Sequence, residues 1–227
     1  MKVILGALGM VSVRVAGDDV VPERGLLQRD LVQSVGDLYS FAVRPNIPPN
    51  APPQAFPILT FQQGRFVHTD GIFPIQQLVI LQNGDLVAAA NTDIAELVMN
   101  DYIEHLSTQL GFRYKNVPQT RYYASTLVVE FGEDFGNRIS ELQKILQILT
   151  DEMPSAGNVY HLRSVDFGYN DPITNLTAPE DLDRVGFKIE RRIGEPYQRN
   201  RFFCNAATKT SEHIRLLELI EATITQR

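Results

Sequence analysis

Apolar and polar residues follow two patterns along the chain, one typical of strands and one of helices. Alternation rich in β-branched residues predicts strands, because successive side chains of a strand point to opposite faces. Apolar residues at every third or fourth position predict helices with a single apolar stripe. Predicted strands cover residues 3–15, 58–62, 65–69, 77–82, 85–90, 125–131, 159–167, 184–193 and 199–204. Predicted helices cover residues 23–41, 92–110, 133–150 and 208–227.

Turn residues predict how two pairs of these strands are joined. Asn83-Gly84 is the strongest such signal, because both residues tolerate the positive φ angles of a tight hairpin turn. Gln63-Gly64 predicts a second joint, between residues 58–62 and 65–69. At the next element, Thr92-Asp93 predicts a helix cap and Gly111 a helix end.

Residues 44–57 hold six prolines, which remove backbone donors and exclude a central strand. Two interpretations are open for this segment. A stiff crossover loop within the domain is favoured, because predicted elements flank the segment on both sides. The alternative is a polyproline ligand for an SH3-like or WW-like partner.

The predicted elements occur in the same order twice, which divides the chain into halves 1–111 and 112–227. A shift of 116 residues places three identical pairs in register: Ala90 with Ala206, Thr92 with Thr208, and Glu96 with Glu212. Capping chemistry alone can produce the Thr and Glu matches. A tandem duplication of a strand-helix-strands-helix unit and an undivided fold with a coincidental pattern therefore both remain open.

Together, the elements predict an α+β fold with antiparallel sheet and helices packed on one face, since each helix has one apolar stripe to bury. The order of elements is similar to the TATA-binding-protein architecture and, less closely, to helix-grip folds. That resemblance covers the whole chain but concerns topology alone. It implies a curved sheet with a long C-terminal helix across it, and it assigns no function.

Composition adds limits on partners and location. The chain has 227 residues, 44% of them hydrophobic, which is enough for a substantial core. Acidic residues outnumber Lys and Arg by 27 to 21, an unfavourable balance for a nucleic-acid binder. The single cysteine, Cys204, excludes an internal disulfide and fits a core position in a reducing compartment. We expect no membrane segment and a cytoplasmic location.

No motif for catalysis, metal binding or cofactor binding stands out. The four histidines lack the His-Glu-x-x-His spacing of a helical zinc site, and the chain has no Gly-rich phosphate loop or nucleophile elbow. His68 and Asp70 are compatible with an oriented base or metal ligand, but a pair satisfied within a turn is favoured. We therefore predict no catalytic, cofactor or metal residues.

The predicted strands near residues 184–201 carry a cluster of basic residues with an interleaved aromatic residue. Such a cluster suits phosphate contacts and base stacking. Several acidic residues in the same stretch favour instead a salt-bridged hairpin or a polar protein interface. The candidate interaction surface consists of Lys188, Arg191, Arg192, Tyr197, Arg199 and Arg201.

Three functions remain compatible with these features. The first is a non-catalytic interaction protein, an adaptor or complex subunit that binds another protein, with a homodimer as one form of it. The second is a nucleic-acid-binding domain that uses a saddle-shaped sheet. The third is a small-ligand-binding domain of helix-grip type, which requires an apolar cavity beneath the terminal helix.

Overall fold

The fold is α+β, with antiparallel strands and three α-helices among the residues that the structure describes. The computed structural model describes residues 1–15, 20, 22, 27–47, 58–81, 84–132, 135, 148, 164–167, 186–192, 194 and 199–225. The strands are β1 (Lys2–Arg14), β2 (Leu59–His68), β3 (Gly71–Leu81), β4 (Gly84–Ala89), β5 (Thr120–Glu130), β6 (Ser164–Phe167), β7 (Phe187–Arg191) and β8 (Arg201–Ala206). The helices are α1 (Gln28–Leu38), α2 (Thr92–Gln109) and α3 (Thr210–Thr225).

The chain divides into two compact units. The N-terminal unit comprises Leu8–Ser125, and the C-terminal unit comprises Met1–Ala7 with Thr126–Arg227. The N-terminal unit contains the strand order β2-β3-β4-β1, with β1 from Leu8 onward, and the C-terminal unit contains β5-β8-β7-β6, with β5 from Thr126 onward. The predicted halves, their duplication and the TATA-binding-protein-like topology stay predictions.

The core of the N-terminal unit lies between one sheet face and two helices. Strand alternation buries every second side chain on that face, as the sequence pattern predicts. The helices α1 and α2 supply the opposite wall. The central core residues are Val11, Val13, Phe61, Leu78 and Val87 from the strands, and Leu31, Val35, Val98, Met99 and Leu106 from the helices.

The first turn of α2 lies directly against β1 at Gly9. A Cβ atom on Gly9 would stand 2.0 Å from the Asn91 carbonyl carbon and 2.1 Å from the Thr92 nitrogen. Because both of these are backbone atoms, no side-chain rotation can relieve the overlap. Gly9 is therefore the residue that lets α2 begin close to the sheet.

The hairpin between β2 and β3 corrects the predicted joint at Gln63-Gly64. The strand β2 continues through both residues, and Gly64 pairs with Ile75. A Cβ atom on Gly64 would stand 2.4 Å from the Phe41 ring, so this glycine makes room for a core side chain. The turn lies instead at Thr69-Asp70, where His68 pairs with Gly71.

The predicted β3–β4 hairpin forms, but its connection lies one residue earlier than the predicted Asn83-Gly84 joint, because Gly84 already belongs to β4. Leu81 pairs with Gly84, so the connection between the strands is two residues long. Gln82 and Asn83 lie outside the described residues. Gly84 has a φ of 149°, and a Cβ there would stand 2.1 Å from the Val13 carbonyl oxygen.

Two helix ends differ from the predicted ones. The helix α1 ends at Leu38 rather than Phe41, because Ser40 takes a positive φ of 50° and turns the chain. Phe41 is buried beyond the helix. The cap of α2 is Asn91, whose side chain accepts from the Ile94 N–H at 2.8 Å, rather than Thr92.

The C-terminal unit packs β5, β7 and β8 against α3. Its hydrophobic core includes Leu127, Val129, Cys204 and Leu217. Cys204 is buried there, as the sequence predicts. An aromatic group lies beside them. Phe131 stacks on Phe135 with a centroid separation of 3.9 Å, and both rings meet the edge of Phe202.

Parts of several predictions lie outside the described residues. These parts include most of the predicted helix 133–150, the prolines from Pro48 to Pro57, and Tyr197. They also include residues 23–26 and 226–227 of predicted helices and residues 159–163, 184–185 and 193 of predicted strands. Across the described part of the chain, no helix combines the length and the apolarity that crossing a membrane requires.

Substituting Gly9 with alanine should lower the free energy of unfolding by about 3 kcal/mol or more, because the added methyl group meets fixed backbone. Urea unfolding followed by circular dichroism measures the change. Gly132→Ala is the matched control, since a Cβ there would make only an ordinary 3.5 Å contact with Glu221. Equal effects of the two changes would contradict the close contact at Gly9.

Candidate functional site

The predicted basic surface lies on the paired strands β7 and β8, and we call its described members the basic strand pair: Lys188, Arg191, Arg192, Arg199 and Arg201. Ile189 and Cys204 face each other in the buried row of this pair. Lys188 lies opposite Asn205 in the alternate row. The register therefore distributes the cations over both sides of the strands.

Two of the cations are neutralised by carboxylates. The Lys188 Nζ lies 2.9 Å from Glu190 Oε2, and the Arg201 Nε donates to Glu130 Oε2 at 2.9 Å. All four side chains are partly exposed, so each ion pair stabilises the fold by no more than about 1 kcal/mol. These ion pairs matter more for the charge of the surface than for stability, because the carboxylates cancel positive charge that would otherwise attract phosphate.

Arg191 and Arg192 lie over aromatic rings on opposite sides of the strand pair. The Arg191 guanidinium is 4.9 Å from the Phe202 centroid, and the Arg192 guanidinium is 5.6 Å from the Phe203 centroid. Phe202 is in the buried row, whereas Phe203 is half-buried in the other row. Arg199 is exposed just before β8. The structure thus does not gather these arginines on one face.

His68 and Asp70 are satisfied within the β2–β3 turn. The His68 Nδ1 lies 3.2 Å from Asp70 Oδ2, and the Asp70 backbone N–H donates to the same nitrogen at 3.4 Å. Within the described ranges, no three His, Cys, Asp or Glu side chains come together as metal ligands would.

His105 has a partner that the sequence pattern did not reveal. Its Nε2 lies 2.7 Å from the Ser34 Oγ, which joins α2 to α1. Burial lowers the pKa of His105, and the charge of Asp101 opposes that shift. A serine beside a neutral histidine has the chemistry of an activated nucleophile. However, Ser34 lies within α1, where helical bonding uses the backbone N–H groups that would stabilise an oxyanion, so we assign the pair a structural role.

The most exposed apolar pair of the described strands is at the end of the β2–β3 hairpin. Val67 and Ile72 pair directly across the two strands and are 74% and 66% exposed. We call Val67, the turn 68–71 and Ile72 the hairpin tip. Farther along β2, residues 42–43 cover the strand edge through the Val43–Gln62 bridge. The hairpin tip lies beyond that covered part.

Comparison of the chain with models of protein families, with curated proteins and with solved structures gives no match. Function therefore has to be inferred from the geometry of the chain itself.

Sequence reasoning missed the hairpin tip because it placed the turn at Gln63-Gly64. With Thr69-Asp70 as the turn, Val67 and Ile72 become symmetric positions on adjacent strands. The run Val-His-Thr-Asp-Gly-Ile contains that signal, since Asp-Gly is a hairpin dipeptide.

His213 generates a pH prediction for the C-terminal unit. It is fully buried in α3, with its ring 5.5 Å from Phe187 in an edge contact, and burial lowers its pKa to about 4. An unfolded chain binds a proton at this histidine below about pH 6.5, whereas the folded chain does so only below about pH 4. The contribution of His213 to stability should therefore fall as the pH is lowered from 6.5 to 4, by up to about 1.4 kcal/mol per pH unit.

The measurement is the pH dependence of the unfolding free energy for the wild type and His213→Gln. We expect the variant to lose less stability than the wild type as the pH is lowered from 6.5 to 4, because only the wild type has the buried histidine to protonate. Thr223→Ala, at an exposed position of α3, is the control and should keep the wild-type slope because it removes no titratable group. Identical slopes for wild type and His213→Gln would contradict the effect of burial.

Proposed function

We propose that this chain is a protein-binding subunit or adaptor that contacts its partner through the hairpin tip. The observation that carries the proposal is the exposure of two β-branched aliphatic side chains, Val67 and Ile72, next to each other on adjacent strands. Burial of such side chains stabilises a complex by about 1.5 kcal/mol or more each, before the costs of association.

The surroundings of Val67 and Ile72 suit a protein partner. His68 and Asp70 form a polar border and are already paired with each other. An apolar centre with a polar rim is the usual anatomy of a protein interface. Arg65 pairs with Pro74 at the base of the tip, and its exposed side chain adds one positive charge to that border.

The basic strand pair has weaker support as the contact surface. Lys188 and Arg201 are each paired with a glutamate, and ion pairs at an exposed rim contribute little binding energy. Nucleic-acid binding remains the alternative function, and its support is the Arg192 guanidinium over the Phe203 ring. The small-ligand function with a helix-grip cavity stays a prediction from sequence.

The proposal predicts that Val67→Thr with Ile72→Thr abolishes partner binding and leaves the fold intact. Threonine keeps the β-branch that a strand favours. Its hydroxyl group replaces one methyl group of Val67 and the ethyl group of Ile72. Because both positions are exposed, the free energy of unfolding should change by no more than about 0.5 kcal/mol per site. Affinity capture from native cells and a thermal melt measure the two effects.

The matched control carries Lys188→Gln and Arg192→Gln, which changes the basic strand pair by the same number of residues. This control should still retain the partner that wild type retains. Loss of the partner from the control alone would move the interface to the basic strand pair. Loss from wild type after nuclease treatment, or on modest addition of salt, would favour nucleic-acid binding instead.

A further inference from the structure

A carboxyl group lies in the apolar core of the N-terminal unit. Asp85 is on β4 and has no solvent exposure. Its neighbours across the two adjacent strands are Val13 and Ile80, which offer it no polar group from their side chains. A carboxylate in such surroundings needs compensation, because burial without a partner costs several kcal/mol.

The titratable groups that face Asp85 are tyrosine hydroxyls. Tyr114 donates to Asp85 Oδ2 from the 3₁₀ turn Tyr114–Asn116 that follows α2. Tyr102 faces the carboxyl from α2, although neither its hydroxyl nor Asp85 Oδ1 has a hydrogen-bond partner among the described residues. Tyr39 interacts with Tyr102 from farther away, and its hydroxyl donates to Asp101 Oδ2 at 2.8 Å.

These surroundings favour the neutral carboxylic acid. Burial raises the pKa of Asp85 to about 7, while the hydroxyls of Tyr114 and Tyr102 and the Leu81 backbone oppose the shift. A protonated carboxyl has one O–H to donate. It can therefore donate to the Tyr102 oxygen while it accepts from Tyr114, which would satisfy both polar atoms that lack a partner.

The three groups lie on segments of different kinds. Asp85 is on a strand with neighbours on both sides, and Tyr102 is in the middle of an 18-residue helix. Tyr114 is on a turn of three residues that begins shortly after Gly111, which has a positive φ of 73°. Besides the Asp85 bond, an exposed ion pair between Lys115 and Glu104 joins the turn to α2, and the Tyr114 ring stacks on Phe112 at 5.9 Å.

We propose that Asp85, Tyr102 and Tyr114 form a pH-sensitive latch, which holds the Tyr114–Asn116 turn against β4 and loosens it as the carboxyl loses its proton. In the open turn Asp85 meets water and ionises above about pH 4, as in an unfolded chain. In the closed turn it ionises only above about pH 7. Opening is therefore favoured progressively from pH 4 to 7, and the effect is constant above pH 7.

Hydrogen exchange measured by mass spectrometry tests this latch. After correction for the intrinsic pH dependence of exchange, protection of peptides covering residues 111–119 should fall up to about tenfold per pH unit between pH 5 and 7. Above pH 7 protection should level off. Peptides from α3, in the other unit, should not follow this profile.

Asp85→Asn is the decisive variant, because the amide keeps the shape and has no proton to lose. In this variant, hydrogen-exchange protection of residues 111–119 should be independent of pH over the same range. Tyr114→Phe should lower protection at every pH and still show the slope, since Asp85 remains titratable. If Asp85→Asn does not fold, the slope in Tyr114→Phe and in the wild type still tests the proposal.

Three results would overturn the proposal. One is a slope in Asp85→Asn equal to that of the wild type. Another is a flat profile in both the wild type and Tyr114→Phe. The third is loss of protection that spreads equally over all peptides of the N-terminal unit, which would show an effect of the carboxyl on the whole core rather than on the turn.

Discussion

The N-terminal unit depends on the close contact between the start of α2 and β1. Backbone atoms of Asn91 and Thr92 occupy the space where any side chain at residue 9 would lie. That contact puts the stripe Val98, Met99 and Leu106 of α2 on the row of apolar residues from the strands. The contact also fits only one choice of buried face for β1, because a shift by one residue would exchange its two faces.

The placement of the apolar and polar groups on the strands follows from that choice of face. Asp85 belongs to the buried row, because the register of β4 places it between Val13 of β1 and Ile80 of β3. Val67 and Ile72 lie at the far end of the β2–β3 hairpin, where they are 74% and 66% exposed. The same hairpin thus has Phe61 and Leu78 in the core and an unprotected apolar pair at its tip.

The C-terminal unit shows why counts of charge do not define a binding surface. Its strands carry the arginines that suggested nucleic-acid recognition, but Glu130 and Glu190 lie within ion-pair distance of two of the cations. Arg191 contacts a ring in the buried row. Long side chains of this kind stabilise a strand pair by covering its aromatic residues as well as by carrying charge.

Sequence periodicity predicts the α+β class, the helices α2 and α3, and the hairpin between β3 and β4. These features depend on local chemistry, such as the stripe Ile214, Leu217 and Ile220 of α3. It does not predict the β2–β3 turn, because Gly64 serves the Phe41 ring and only resembles a turn residue. It also misses the burial of Asp85 and the pairing of Arg201 with Glu130, since both depend on residues far apart in sequence.

The most direct test of the proposed protein-binding role is site-specific photo-crosslinking in native cells. A benzophenone amino acid replaces Ile72 in one variant and Gln33, exposed on α1, in a matched variant. We expect one discrete crosslinked partner protein from position 72 and no such crosslink from position 33. No adduct at position 72, or the same adducts from both positions, would contradict a binding surface at the hairpin tip.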